Sequence, residues 1–219
     1  MIQKLAGTRM LFAIVALALS CAAFSPAPIA QGGDVRSSMS MEDVHEDRLN
    51  TLKEARKRGE NTAVVAEALY WASQASSDVG DLDAAVELME DAVEIERRLS
   101  KPIDPYAVYV TRLSRLYEQR GQISKAEQCL FELIDSHLSV SVDWSLGTRF
   151  LLADLLLRSG DEKRAVREYR EILDAAPRSA VNSMLLEAVA ERLASVEKDE
   201  EVKAEILERA EKYRALRYP

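Results

Sequence analysis

The stretch that decides the fold runs from Val79 to Ala92 and reads VGDLDAAVELMEDA. It is a glycine turn followed by an amphipathic helix, with small or apolar residues five, nine and twelve positions after the glycine. Two further stretches repeat this pattern, one following Gly121 and the other following Gly160. In all three copies an apolar residue also stands eight positions before the glycine. Three copies in register indicate a protein built from repeated helix pairs.

The residues at the three offsets after the glycine are small or apolar, and each has a packing role. They are Ala85, Met89 and Ala92 in the first copy, Ala126, Leu130 and Leu133 in the second, and Ala165, Tyr169 and Ile172 in the third. The glycine permits a tight turn, and the small residue five positions after it admits close approach of the paired helix. The bulky residue four positions later fills the remaining gap. We therefore expect every aligned position to be structural.

These offsets resemble the tetratricopeptide repeat (TPR), whose first helix carries Leu and a small residue and whose second helix carries Ala, an aromatic residue and Ala. The resemblance covers roughly residues 66–177, and Pro177 stands where the family closes its repeat. It implies an all-α fold, a right-handed superhelix of antiparallel helix pairs (a TPR-like α-solenoid). The repeats are expected near residues 66–99, 107–138 and 146–177.

The turn glycines are spaced more widely than in the family's usual repeat. Gly80, Gly121 and Gly160 stand 41 and 39 residues apart, whereas the family repeats about every 34 residues. Longer helices or linkers must take up the excess. The stretch Ile95–Pro105 contains two prolines and is similar to the extended repeats of kinesin light chains and bacterial TPR lipoproteins. That similarity implies an architecture only, and cargo transport is not carried over.

Helical patterns flank the three repeats, so the predicted array extends over residues 41–217. A leading helix is predicted at 42–58, where apolar residues recur among charged ones and Gly59 follows. A terminal helix pair is predicted at 180–217, where apolar residues recur at steps of three and four. The turn between its helices, Glu197–Asp199, has no glycine, so whether this pair is a fourth repeat stays open.

Residues 1–23 have the pattern of an export signal or a lipoprotein signal. Lys4 and Arg9 give a positive start, and the apolar run Met10–Leu19 that follows is typical of such signals. The run is shorter than the roughly 20 residues that a membrane-spanning helix needs. The alternative is a buried first helix, but the proline-rich stretch Ser25–Pro28 breaks the pattern. The segment predicts export to the bacterial periplasm or attachment to a membrane as a lipoprotein.

Cys21 is a candidate for lipid attachment. The stretch Ala18–Cys21 resembles the lipobox of bacterial lipoproteins, although Leu19 stands where that family usually has a small residue. Three outcomes stay open, namely a lipid on Cys21, cleavage shortly after it, and no processing. Residues 24–40 hold Pro, Gly, Ser and Gln with little bulky apolar content, and they are predicted to form a disordered tether.

Charge and cysteine content exclude several classes of function. The chain carries 29 basic and 37 acidic residues. Loss of the export signal with Lys4 and Arg9 leaves 27 basic residues and a net charge of −10, which makes nucleic acid a poor partner. The chain has two cysteines. Because export removes or occupies Cys21, no disulfide framework is expected, and Cys129 is predicted to be a buried small apolar residue.

Residue clusters that carry chemistry are missing from the sequence. The two histidines, His45 and His137, belong to no cluster with metal-ligand spacing. The glycines stand singly at turns apart from Gly32–Gly33, so no phosphate-binding loop is indicated. Acidic residues after Gly80 and Gly160 are explained as helix caps. We expect no catalytic residue, no metal site and no cofactor, and therefore no enzyme.

The candidate binding site follows from the resemblance. In this family the inner surface of the superhelix is lined by positions two, five, nine, twelve and thirteen of each first helix. By register these positions hold Glu67, Tyr70, Gln74, Ser77, Asp78, Val108, Thr111, Arg115, Glu118, Gln119, Gly147, Phe150, Asp154, Leu157 and Arg158. The candidate site comprises all of them except Ser77, Gly147 and Leu157. Tyr70 and Phe150 are expected to anchor apolar side chains of a partner, and Arg115 and Arg158 to pair with its carboxylates. The competing interpretation is that single members pack against neighbouring helices.

The sequence therefore predicts a non-catalytic TPR scaffold that mediates protein–protein interaction at the cell envelope or in the periplasm. The partner is expected to be a protein or peptide, and membrane contact is expected only through a lipid on Cys21. The alternative is a self-associating structural component of an envelope assembly. An enzyme or an accessory subunit is disfavoured by the missing residue clusters. The lysine and asparagine that clamp a terminal carboxylate in chaperone-binding TPR proteins are replaced here, so that activity is not expected.

Overall fold

The computed structural model describes residues 40–99, 104–135, 142–175 and 183–216. Within these ranges the chain forms nine α-helices and no β-strand, which confirms the all-α class. The predicted export signal, Cys21 and all of the predicted tether except Ser40 lie outside the described residues, as do His137 and Pro177.

The nine helices are numbered in chain order. They are α1 (Met41–Arg58), α2 (Ala63–Asp78), α3 (Leu82–Leu99), α4 (Asp104–Gln119), α5 (Ile123–Asp135), α6 (Val142–Arg158), α7 (Glu162–Ala175), α8 (Ser183–Val196) and α9 (Glu200–Ala215). The described residues fall into two compact units that meet within α5, between Cys129 and Leu130. We name them the N-terminal unit, with α1 to α4, and the C-terminal unit, with α6 to α9.

The leading helix α1 begins where its sequence supplies a complete cap. The Ser40 hydroxyl accepts a hydrogen bond from the Asp43 backbone N–H at 3.1 Å, and the Asp43 carboxylate accepts one from the Ser40 N–H at 3.1 Å. This reciprocal arrangement satisfies two of the amides that a helix start leaves unpaired. Three basic residues in the last turn complement the helix dipole before the chain turns at Gly59.

The three turn glycines adopt the same local structure. Gly80, Gly121 and Gly160 have φ values of 86°, 71° and 90°, the left-handed region that glycine enters without steric cost. At the first of these turns the Asp81 N–H donates to the Ser76 carbonyl at 2.9 Å and the Gly80 N–H donates to Ser77 at 3.1 Å. Equivalent bonds close the other two turns. This is the Schellman pattern, in which the turn satisfies the last carbonyls of the preceding helix.

The residues aligned by sequence form the cores of both units. All nine positions after the glycines are buried, as is Ala72, eight residues before Gly80. In the N-terminal unit the buried Ser73 hydroxyl donates to the Ala85 carbonyl at 2.6 Å and so joins α2 to α3. Close approach of these helices requires the small side chain of Ala85.

The terminal pair α8 and α9 turns without a glycine. The Glu197 carboxylate accepts hydrogen bonds from the Lys198 and Asp199 backbone N–H groups at 2.9 and 3.2 Å. These two backbone bonds are the main cause that lowers the pKa of Glu197. Asp199 then caps α9 by accepting from the N–H groups of Glu201 and Val202. A side chain thus accepts from the backbone N–H groups of this turn, whereas the corresponding N–H groups of the glycine turns donate to carbonyls of the preceding helix.

The described helices are also informative about membranes. None of them combines the length and the apolar character that crossing a bilayer requires.

Candidate partner-binding surface

The predicted surface residues lie on the first helix of each repeat, and the two units are described separately. In the N-terminal unit they lie on α2 and α4. In the C-terminal unit they lie on α6.

Three aromatic rings meet between α2 and α4. The ring of Tyr70 stacks on that of Tyr109, with 5.2 Å between centroids and 23° between planes. The rings of Tyr70 and Trp71 pack in a T-shaped arrangement, with centroids 5.1 Å apart and 82° between their planes. Tyr109 is buried and Tyr70 is half-buried, whereas Trp71 remains 42% exposed. The cluster is thus anchored in the core at Tyr109 and open to solvent at Trp71.

Two acidic residues lie on the same helix as the Tyr70 and Trp71 rings. Glu67 is exposed one helical turn before the two α2 aromatics, and Asp78 is exposed near the end of the same helix. Burial, assisted by the negative charges of Glu96 and Glu67, raises the pKa of Tyr109 to about 12. The carboxylates of Glu67 and Glu96 therefore act electrostatically on the Tyr109 hydroxyl.

Two contacts with α1 border the cluster. The guanidinium carbon of Arg48 lies 5.5 Å from the centroid of the Trp71 ring, which is a cation–π distance. One helical turn earlier, the His45 Nε2 and the Ser76 Oγ are 3.0 Å apart and hydrogen-bonded. Both contacts attach α1 to α2 beside the aromatic rings.

The remaining predicted residues of the N-terminal unit are mainly polar, with two acidic side chains and one basic side chain among them. The Gln74 amide donates to the Asp78 carboxylate at 2.8 Å, one turn beyond the aromatic rings. On α4 four of the predicted residues are half-buried, namely Val108, Thr111, Arg115 and Glu118. The fifth, Gln119 at the end of the helix, is exposed. Among the described residues, no hydrogen-bond partner is within reach of the buried Thr111 Oγ1.

In the C-terminal unit the structure corrects the prediction for Phe150. Its side chain is 3% exposed, and its ring lies 6.1 Å from that of Tyr169 on α7, with 52° between the planes. The predicted partner anchor is therefore a core residue. The physical reason is the large aromatic residue nine positions after Gly160, because the Tyr169 ring on α7 packs against the Phe150 ring on α6.

Asp154 is also buried, with 5% exposure, and lies at the centre of a cluster. It accepts a hydrogen bond from the Tyr169 hydroxyl at 2.6 Å. The Oδ2 atom of Asp154 lies 3.2 Å from Nη1 of Arg158. Its Oδ1 atom, which accepts the bond from Tyr169, lies 3.4 Å from Nε of Arg192. Burial raises the pKa of Tyr169, and the charge and hydrogen bond of Asp154 raise it further. The hydroxyl thus remains a donor to the carboxylate.

The two arginines of this cluster present charge at the surface. The Arg158 side chain is 50% exposed and that of Arg192 is 41% exposed. With one buried carboxylate between them, the three groups carry a net charge of +1. Two of the predicted residues, Asp154 and Arg158, are thus brought together, but only the arginine faces solvent.

The sequence prediction missed Arg192 on α8. It stands six positions before Lys198, as Asp154 stands six positions before Gly160. The prediction stopped at the third repeat because the last turn lacks a glycine. The helix cap could have extended the register, since Asp199 follows Lys198 as Asp161 follows Gly160. Trp71 and Arg48 were also missed, because neither occupies one of the family's inner-surface positions.

The described residues also bear on other chemistries. Nowhere in the part of the chain that the structure describes do three or more histidine, cysteine or acidic side chains group so that they could hold a metal ion.

These features are those of a helical-repeat fold similar to that of TPR arrays. Residues 66–98 match the family model of the tetratricopeptide repeat, and this segment comprises most of α2 and α3. No curated protein matches the sequence.

Solved structures place the fold among TPR-like arrays. The chain is similar to a Podosopora anserina protein described as a kinesin light chain with nearly identical TPR-like repeats, at 17% identity and a TM-score of 0.64, over 80% of this chain and 87% of that one. It is also similar to BtubC (BKLC) from P. vanneervenii, at 19% identity and a TM-score of 0.61, over 81% and 75% of the two chains. MamA matches at 13% identity and a TM-score of 0.52, over 81% and 96%. The predicted TPR fold with extended repeats is confirmed.

Proposed function

We propose that the protein is a non-catalytic scaffold that binds a partner protein or peptide through the exposed faces of its first helices. The observation that carries this proposal is the aromatic cluster of the N-terminal unit, in which Trp71 remains 42% exposed while Tyr70 stacks on the buried Tyr109. Large aromatic rings held rigidly at a surface are the side chains that most often dominate binding energy at protein interfaces.

The fold supports the same conclusion. Arrays of paired helices expose extended surfaces that suit protein recognition. Polar residues around the rings supply hydrogen-bonding groups, as Gln74 and Asp78 do on α2. In the C-terminal unit the half-exposed guanidinium groups of Arg158 and Arg192 are oriented by Asp154 and suit carboxylates of a bound segment.

The location of the protein is part of the proposal. The positive start, short apolar run and small residues at 1–23 support export to the periplasm or the cell envelope. Cys21 would attach the protein to a membrane if it carries a lipid. Mass spectrometry of the mature N-terminus tests this, because a lipidated Cys21, a cleaved chain and an intact chain differ in mass.

A pull-down with matched variants tests the binding function. We expect the tagged chain to retain a set of proteins from envelope extract and Trp71→Ala to lose at least one of them. Phe131→Ala is the control, because Phe131 is also exposed and also lies under an arginine, with Arg164 6.0 Å from its ring, but it belongs to α5, a second helix. Retention of the same proteins by wild type and Trp71→Ala would contradict the proposed surface.

A further inference from the structure

We infer that the α2 face around Trp71 receives a basic side chain of the partner, a lysine or arginine that lies against the Tyr70 and Trp71 rings with Glu67 as its counter-charge. This inference rests on the proposed function and adds the chemistry of the bound segment.

The first step is the arrangement of the side chains on α2. Glu67, Tyr70, Trp71 and Gln74 occupy positions i, i+3, i+4 and i+7, so they lie on one face of the helix. Glu67 is exposed, and the aromatic pair follows one turn later. A carboxylate beside an aromatic surface is the combination that binds an organic cation most favourably, because the rings attract the cation and the carboxylate neutralises it.

The second step is charge. Among the exposed residues of α2 two are charged, Glu67 and Asp78, and both are acidic. The negative charges of Glu96 and Glu67 also act on Tyr109, behind the exposed rings. An acidic segment of a partner would bring its carboxylates against these groups, whereas a basic segment is attracted to them. The net charge of −10 on the chain without its export signal favours the same kind of partner.

The third step is a contact of the same kind within the protein. Arg48 lies over the Trp71 ring at 5.5 Å, so this indole already accommodates a guanidinium group. Trp71 remains 42% exposed with Arg48 in place. The exposed part of the Trp71 ring is therefore a surface that a second cation can approach, with the exposed Glu67 one turn earlier on the same helix face.

The inference is tested with short peptides of defined charge. The chain has two tryptophans, so Trp144→Phe leaves Trp71 as the sole indole reporter. We expect tetra-arginine to change Trp71 fluorescence saturably and tetra-glutamate to leave it unchanged at equal ionic strength. Calorimetry measures the same affinities with the wild-type chain, so the test does not depend on whether the Trp144→Phe variant folds.

Two matched pairs of variants locate the site. Glu67→Gln is expected to weaken tetra-arginine binding by about threefold or more, and Trp71→Ala by about fivefold, as loss of an ionic contact and of a cation–π contact of roughly 1 kcal/mol implies. Glu201→Gln removes the same charge from an exposed position on α9, and Phe131→Ala removes another exposed ring. Both controls are expected to bind tetra-arginine like the wild type.

Three results would overturn the inference: no binding of tetra-arginine, equal weakening by Glu67→Gln and Glu201→Gln, or tighter binding of tetra-glutamate. Equal weakening would show attraction to net charge rather than a site. These failures are distinguishable from failure of the proposed function. If Trp71→Ala loses a partner in the pull-down but binds tetra-arginine like the wild type, the scaffold function is supported and the basic partner segment is contradicted.

Discussion

Tyr169 and Asp154 are joined by a hydrogen bond of 2.6 Å in the interior of the C-terminal unit. The carboxylate that accepts this bond also contacts one arginine from its own helix and one from α8. A residue of the repeat core, Tyr169, therefore determines the position of a carboxylate that in turn orients two surface cations. Packing and the candidate binding surface are linked at this point.

Tyr169→Phe is expected to lower the free energy of unfolding by about 1.5–3 kcal/mol, because it removes a hydrogen bond to a buried charged group. Urea denaturation followed by circular dichroism measures the change. Tyr213→Phe is a suitable control, since Tyr213 is also buried in this unit and its hydroxyl makes no hydrogen bond within the part of the chain that the structure describes. Equal effects of the two substitutions would show that the bond to Asp154 contributes little.

Asp154→Ala is expected to destabilise the C-terminal unit by about 3–5 kcal/mol, the cost typical of removing one partner from a buried ion pair. Arg192→Gln alone should cost less than about 1 kcal/mol, because its side chain is 41% exposed. The two substitutions together should cost less than their sum, since each removes the same contact. Additive free energies of unfolding would argue against coupling between the two residues.

The sequence predicted the helical core well because its pattern is local and repeated. Glycine turns and residues five, nine and twelve positions later depend on helix geometry alone, so Gly80 and Ala85 could be placed without any knowledge of tertiary contacts. Glu197 shows the limit of such patterns, because a side chain that caps a turn leaves no glycine to align.

The binding surface was harder to predict, because exposure depends on which neighbouring side chains are large. Phe150 occupies an inner-surface position of the family but is buried in this chain, where its ring packs against that of Tyr169. Trp71 shows the opposite case. Its position is not one of the family's surface positions, yet 42% of it is exposed, although Arg48 lies over its ring and Tyr70 packs against it.

Ala126→Leu is expected to cost about 1–3 kcal/mol through overpacking, since Ala126 is fully buried at a position that admits close helix approach. Ala204→Leu adds the same atoms at an exposed position of α9 and should change stability by less than about 0.5 kcal/mol. Thermal unfolding of both variants provides the comparison. An unchanged melting temperature for Ala126→Leu would count against the packing role of this position.

Gly121→Ala is expected to destabilise the protein by about 1–2 kcal/mol, because alanine at a φ of 71° meets its own backbone. Apart from the adjoining residues, no described atom lies within 4 Å of the position that the added Cβ would take, so the cost is local backbone strain and not a clash with a neighbouring helix. Gly160→Ala, with a φ of 90° and similarly open space, should behave alike. Denaturant midpoints measure both effects, and a stabilised Gly121→Ala variant would exclude the left-handed turn.

Alkaline pH is expected to destabilise the N-terminal unit through Tyr109. Burial, assisted by the charges of Glu96 and Glu67, raises the pKa of Tyr109 from 10 to about 12, so the folded state retains a proton that the unfolded state loses. This stabilising contribution is complete below pH 10 and is lost as the pH rises toward 12, because the unfolded state then binds fewer protons than the folded one. The free energy of unfolding should therefore fall more steeply between pH 10 and about pH 12 for the wild type than for Tyr109→Phe, whereas a parallel decline in both would show that Tyr109 ionises normally in the folded protein.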